Sequence, residues 1–464
     1  MNPDASSGPG LSIPGTLRLG LFQACLGFLA VVFAGLLNRV MVSELGFPGL
    51  LVGGALAFEQ FVAPSRVLFG QISDRYAWAG RHRTPYILVG AAGFCGLAVL
   101  VVPVIFRLAR AFQAQDSQAS LLGGALLCGL FACYGLAVSM ASTPYLALVI
   151  DRTGEKDRPR AVGIIWCMLT VGIVAGAVAI SLSLRNLDGV KDPAVLEAVL
   201  GPFMVRSALV VFALTLLAVL GMEPAQTDLS QSAEREDAIT LRRAWQLITS
   251  SRQVAIFFLF LVLFTLALFL QDPVLESYGA EVFGMPIAAT AGLNALWGSG
   301  TLIGLVAAGW WIVPRLGPLA TARLGCQLIA ASMLLLLLAG LTAQVAVLKT
   351  VMLVFGLASG IGTNSTLCLM LDLTLPEAAG TFVGVWGLAQ AFSRAVGKLL
   401  GGGLLDLGRA IGPDGSSFFP FALVLSIEAL VAFAALWLLS ALNLRQFRED
   451  TSRSLSRVLS LELG

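Results

Sequence analysis

Gly70-Gln-Ile-Ser-Asp74-Arg75-Tyr-Ala-Trp-Ala-Gly80-Arg81-His82-Arg83 separates two long apolar runs, 47–72 and 84–106. A loop this rich in charge between segments nearly free of it sets a boundary between hydrocarbon and water. Gly70 lets two helices close on each other. Asp74 suits the positive end of a neighbouring helix, and Arg75, Arg81 and Arg83 hold a cytoplasmic edge.

Working outward, the same alternation fills the chain. Of 464 residues, 57% are hydrophobic and 12% charged, about half the charged share of a soluble domain. Leu121 to Ile150, Val254 to Leu270 and Lys349 to Leu371 carry almost no charge. Each is about as long as the roughly 20 residues a helix needs to cross the hydrocarbon core, or longer. The 50 glycines fit close helix packing in lipid, and period-2 alternation, the mark of a barrel, is absent. The fold class expected is an all-α polytopic membrane protein of 12 helices in two pseudo-symmetric six-helix bundles. The helices are placed near 17–42, 47–72, 84–106, 121–150, 160–184, 203–222, 254–272, 287–312, 318–341, 347–372, 380–405 and 418–443.

This divides the chain into a polar N-terminal segment 1–16, a bundle 17–222, a linker 223–253, a bundle 254–443 and a tail 444–464. The linker carries a short amphipathic stretch at Leu241 to Ile248, and the tail alternates Leu and Arg in a pattern suited to the membrane surface. With both termini cytoplasmic, 18 Lys and Arg fall on the cytoplasmic side against 8 opposite, the latter including Arg39, Arg107, Arg110 and Arg206. No cleaved signal peptide is evident in Met1 to Gly20. The seven cysteines lie in apolar segments without CxxC spacing and read as small fillers. A net charge of +2 implies no nucleic-acid partner. At an offset of 221 residues Gly135, Ala137, Leu146, Asp151 and Thr153 meet Gly356, Ala358, Leu367, Asp372 and Thr374. This makes the fourth and tenth helices counterparts in an internal duplication.

The loop quoted first resembles the G-x-x-x-D-R...G-R-[RK] signature of the major facilitator superfamily. The resemblance implies a latch that joins the two halves on the cytoplasmic side, with Asp74 bracing the start of the eleventh helix near Gly380. Asp151, Arg158 and Arg160 resemble the companion loop after the fourth helix, with Pro159 where glycine is usual. The second-half copy is degraded, with Ala308 and Gly309 following Gly304.

A narrower resemblance is to the PucC/LhaA, or bacteriochlorophyll delivery, family. It rests on Arg18-Leu-Gly-Leu-Phe-Gln23, Leu37-Asn-Arg-Val-Met41, Glu44-Leu-Gly46 and Ala63-Pro-Ser-Arg66. It continues through Gln271-Asp-Pro-Val-Leu-Glu-Ser-Tyr-Gly279, Glu281-Val-Phe-Gly-Met285, Met370-Leu-Asp-Leu-Thr374 and Ala379-Gly-Thr-Phe-Val-Gly-Val-Trp-Gly-Leu-Ala-Gln390. Ser277 stands where the family commonly has proline and Ala280 where it has a second glycine. The His-Arg-Thr after Gly80 makes the likeness closest to cyanobacterial members. The family implies delivery of chlorophyll to, or chaperoning of, chlorophyll-binding light-harvesting or photosystem proteins, in a thylakoid or cytoplasmic membrane. The partners implied are the pigment, as cargo or bound group, those membrane proteins and the lipid bilayer.

Ionisable groups at bilayer depth are costly and default to functional candidates. Glu59 and Arg66 are seven residues apart, on one face of a continuous helix, with Pro64 between them. They either line a central cavity or form a structural ion pair, and Leu56 is the expected lipid-facing neighbour. Arg394 and Lys398, one turn apart, repel unless an acid joins them; an anionic ligand or Glu428 are the alternatives. Asp272 and Glu276 either end the seventh helix or act on cargo. The only histidine, His82, lies in the loop, so a magnesium-bearing cargo would turn to Glu59, Gln60, Asn294, Asn364, Gln390, water or a carbonyl, oxygen being the fitting donor. There is no intrinsic metal site, and no Walker loop or catalytic triad points to an enzyme. A small-solute secondary transporter coupled to protons and a non-cycling scaffold are the alternative functions.

Overall fold

The computed structural model describes residues 12–78, 80–153, 158–184, 190, 192–223, 252–373 and 379–443. Its helices are α1 Ile13–Ala30, α2 Gly49–Phe61, α3 Ser65–Arg75, α4 Thr84–Gln113, α5 Ser117–Arg152, α6 Arg158–Ser183 and α7 Pro193–Val219. Then follow α8 Arg252–Phe269, α9 Leu275–Glu281, α10 Ile287–Ala307, α11 Pro318–Thr342, α12 Val345–Leu373, α13 Ala379–Ile411 and α14 Phe419–Ala441. Helix α1 runs on through π-helical Val31–Leu37 and Val40–Glu44, and α10 through π-helical Ala308–Ile312 into Val313–Leu316. No strand occurs among the described residues, only one isolated bridge between Trp78 and Arg81.

Ten helices among the described residues are long and apolar enough to cross a membrane, and the chain is an integral membrane protein. The second expected span is not one helix: it breaks at Val62–Pro64 into α2 and α3. Pro64 has no amide proton to give, and the backbone closes tight turns instead, with Ser65 bonded to Val62 and Arg66 to Ala63. The eleventh, α13, carries Arg394, Lys398, Asp406 and Arg409 along its length. The sixth span begins ten residues earlier than its apolar core suggests. Asp192 caps it through the amide of Ala194, Pro193 fits its first turn, and Pro202 is carried inside the helix.

The chain forms two compact units, one of residues 1–236 with 285–295, the other of 237–284 with 296–464. In the first, α1 packs on α6 and α7, and α5 on α4, α2 and α3. In the second, α14 packs on α8, α11 and α13, and α11 on α12. Close backbone approach fixes both. A Cβ on Gly172 would run into the Ala24 carbonyl of α1, and one on Gly356 into the Trp297 carbonyl of α10. Gly135, the repeat partner of Gly356, plays the same part against α2, where a Cβ would lie 2.8 Å from Glu59. The duplicated glycine therefore serves the same helix contact in each half. Tyrosine hydroxyls pin further crossings, Tyr145 donating to Leu19 O at 2.9 Å and Tyr278 to Leu336 O at 2.7 Å. Of the cysteines, Cys25, Cys95 and Cys326 are buried fillers, while Cys133 and Cys167 are exposed.

The amphipathic stretch 241–248, the tail 444–464 and residues 374–378 lie outside the described residues.

Candidate functional site

In the first unit the charges of the opening loop converge on one arginine. Arg83 is buried where the loop meets α4. It pairs with Asp74 at the end of α3, donates to Asp151 at the end of α5 at 3.2 Å, and donates to Ser73 Oγ at 2.9 Å. One guanidinium thus ties three helix ends together, using the fork of donors that suits two carboxylates at once. Beside it, Glu223 just past α7 accepts the amides of His82 at 2.7 Å, Arg83 at 2.9 Å and Thr84 at 2.7 Å. These are the otherwise unsatisfied donors opening α4, and a carboxylate there meets the positive end of the helix dipole. His82 is fixed through Nδ1 at 3.1 Å from Ser73 O.

Burial pushes the Glu223 carboxyl up, but hydrogen bonds from Thr84, Arg83 and His82 outweigh it and hold the group below the ordinary carboxylate range. A carboxyl lowered in the native state stabilises fully above its unfolded value, about 4.3, and loses that stabilisation as pH falls through the native one. Glu223→Gln should lower the unfolding midpoint at neutral pH, because an amide group turns donors against donors. The gap from wild type should close as pH drops through the acid range. A gap that stays constant from neutral to acid pH would show that the ionised carboxylate is not what caps α4.

The same unit holds a second buried pair. Arg39, expected near a loop, is 4% exposed inside the extended first helix; it meets Glu44 at 3.2 Å and donates to Thr290 Oγ1 at 2.7 Å. Five residues on a regular α-helix are about 140° apart. The wider π turn at Val40–Glu44 brings this i, i+5 pair onto one side.

In the second unit α8 stops at Phe269, three residues short of its expected end. Residues 270–274 turn, and α9 restarts at Leu275. Pro273 interrupts the hydrogen-bond ladder here. Asp272 therefore lies in the break and Glu276 in the first turn of α9, where Glu276 is buried. Lys398 of α13, 8% exposed, reaches Asp272 at 3.5 Å. Arg394 lies over the Phe269 ring, 4.3 Å from its centre. Asp272 thus supplies an acid to Lys398, and an aromatic face lies against Arg394. Glu428, fully buried on α14 and one of the two alternative partners considered for Arg394 and Lys398, makes no ion pair among the described residues. It accepts the backbone amide of Gln271 at 3.4 Å, and its Oε2 has no hydrogen-bond partner among the described residues.

Chains of this sequence pattern have been met before. The family model described as PUCC protein matches residues 36–447. The chain belongs to the PucC family. A protein of the puhA-bchM intergenic region of Rhodobacter capsulatus is 32% identical over 405 residues, 84% of this chain and 80% of that protein. Protein PucC of Cereibacter sphaeroides is 30% identical over 417 residues, covering 90% and 88%. A Rhodobacter capsulatus protein named as the 44.5 kDa chain of bacteriochlorophyll synthase is 30% identical over 430 residues, covering 90% and 92%. Among solved structures, the nucleoside transporter NupG superposes with a TM-score of 0.66 at 14% identity, over 92% of this chain and 98% of that one. A bacterial homologue of the iron transporter ferroportin gives 0.65 at 14% identity, over 94% and 98%. The fold is the major facilitator fold.

Against the residues expected for a PucC-family site, the structure gathers Asp74, Arg83 and Asp151 in one network and Asp272 with Lys398 in another. Arg75 is exposed and Arg81 half-buried, while the side chains of Arg158 and Arg160 lie outside what is described. Gly70 meets Thr143 of α5. Because the helix breaks between them, the seven-residue spacing of Glu59 and Arg66 no longer sets a shared face; Glu59 and Gln60 are half-buried at the end of α2 and Arg66 is exposed on α3. Leu56, expected to face lipid, is 2% exposed. Asn364 donates to Leu305 O at 3.4 Å and so joins α12 to α10; Asn294 and Gln390 are half-buried. Sequence reasoning missed Glu223 and the Arg39–Glu44 pair. The only signal for the latter was its place within two of the family-like runs.

Proposed function

We propose that this chain delivers chlorophyll-type pigment to chlorophyll-binding membrane proteins, or holds those proteins while pigment is inserted. Membership of the PucC family, across nearly the whole chain, is the observation that carries this reading. The polar groups support it. A large amphiphile with a metal centre needs apolar walls and a few fixed polar anchors, and Asp272, Lys398 and Arg394 supply anchors on otherwise apolar helices. For the pigment's magnesium we assign an oxygen donor from Glu59, Gln60, Asn294, Asn364, Gln390, water or a backbone carbonyl. We place the termini on the cytoplasmic side of a thylakoid or cytoplasmic membrane, and assign Asp74 with its neighbours in the 70–83 loop to a conformational latch. Delivery needs no covalent step from the protein. The likeness to cyanobacterial members rests on the 82–84 loop alone.

The test is a host lacking the gene. It should keep making pigment yet assemble a chlorophyll-protein complex poorly. Restoring Glu59→Ala or Arg394→Ala should recover less complex than restoring a change at the exposed Leu430. Equal recovery by all three, at equal expression, would remove these charges from the mechanism and leave a scaffold. Normal assembly with loss or accumulation of a small solute would replace the proposal with solute transport.

A further inference from the structure

Helix α7 carries an arginine at a depth where arginine is rarely tolerated. At one end of the helix, half-buried Glu197 pairs with exposed Arg110 at 2.7 Å, and at the other Glu223 caps α4. These charges mark the two edges of the membrane-embedded length, 26 residues or about 39 Å apart at 1.5 Å per residue. Arg206 lies nine residues beyond Glu197, about 13 Å further along the axis. With a hydrocarbon core about 30 Å thick centred between the two edges, its Cα is roughly 9 Å inside the apolar layer. It is exposed and makes no ion pair with any described residue. A charged side chain held there is costly, and such residues in membranes pair or serve a ligand.

Arg206 does not stand on a flat face. It borders a groove of about 500 Å³, floored by Phe28 of α1 and walled by α6 and α7. From Ala198 to Val210 the groove follows α7 over twelve residue steps, about 18 Å. Its walls are Ala, Val, Pro and Phe, and the hydroxyls of Ser183 and Ser207 are its other polar side chains. A long apolar trough with an arginine and two hydroxyls is complementary to a single acyl chain ending in an acceptor that carries negative charge. A guanidinium reaching toward the interface shortens the remaining depth, and a charge-assisted pair there removes the cost of the lone cation.

We infer that this groove is a binding site for a carboxylate-bearing single-chain amphiphile, taken laterally from the membrane with its carboxylate on Arg206. The site lies wholly in the first compact unit and is independent of the Asp272–Lys398 cluster used in the proposed function.

The experiment uses the full-length chain in phosphatidylcholine vesicles with stearate spin-labelled near its methyl end, compared with phosphatidylcholine carrying the same label. At a pH where stearate is ionised, the wild type should immobilise a severalfold larger fraction of stearate than of phosphatidylcholine. Arg206→Leu, which suits lipid and should insert readily, is expected to bring stearate down to the phosphatidylcholine level. Val210→Trp keeps the arginine but fills the trough, and should do the same. Equal immobilisation of the two labels by the wild type, or selectivity that survives both substitutions, would overturn the site. Labelled phosphatidic acid held more strongly than stearate would overturn the carboxylate assignment in favour of a lipid phosphate.

Discussion

Replacing Arg83 with alanine should lower the unfolding free energy of the first unit by about 3 kcal/mol. That is the low end of the range for breaking a buried ion pair, because Asp74 and Asp151 keep some access to water. Arg83 itself is buried, with Asp74 on one side and Asp151 on the other. Its removal leaves two carboxylates facing each other with no cation between them and strips Ser73 Oγ of its donor. Three helix ends lose their common tie. The buried thiols Cys25 and Cys95 lie in this unit, so a thiol-reactive dye during heating in mild detergent reads the loss as earlier labelling. Arg83→Lys should recover only part of the stability, since an ammonium cannot fork between two carboxylates. A labelling midpoint equal to wild type for the alanine variant would mean that the network is ornamental. Full rescue by lysine of everything the alanine loses would instead remove the fork from the account.

This network also measures how far sequence carries the reading. The loop from Gly70 to Arg83 displayed its charges and its boundary role, because membrane depth is written in run lengths of apolar residues. It did not display that Arg83 rather than Asp74 is the hub, nor that Glu223, beyond the last helix of the half, returns to cap α4. Contacts 140 residues apart in the chain leave no periodic trace. The same holds for Asp272 and Lys398, whose spacing of 126 residues says nothing of their 3.5 Å approach. Local chemistry misled where two outcomes share one signal. Pro64 stands where one helix ends and the next begins, while Pro202, one residue before the expected start of the sixth helix, is absorbed into α7. Arg206 moved from a supposed edge to mid-helix for that reason. The Arg39–Glu44 pair was invisible because a five-residue spacing is meaningful only on a π turn.

The largest functional loss from one substitution outside the loop is expected at Lys398. Changing it to methionine keeps the length of the side chain and removes the cation opposite Asp272. Asp272 sits in the break between α8 and α9, close along the chain to Gln271, whose amide binds the buried Glu428. Without Lys398 the two carboxyl groups share a region of low dielectric with less positive charge to offset them. The variant should lose about 2 kcal/mol, less than a fully buried pair because Asp272 is partly exposed. Arg394 lies a turn away over the Phe269 ring, and the substitution leaves that contact in place. Lys398→Met should therefore depress chlorophyll-complex assembly in the host as well as stability. Asp272→Asn combined with it should restore much of the stability, because the unpaired charge is gone, while assembly stays low if the pair anchors cargo. Assembly recovering in step with stability in the double variant would show that the pair only holds α13 against α8. If Lys398→Met alone left both unchanged, the ion pair would have no part in either.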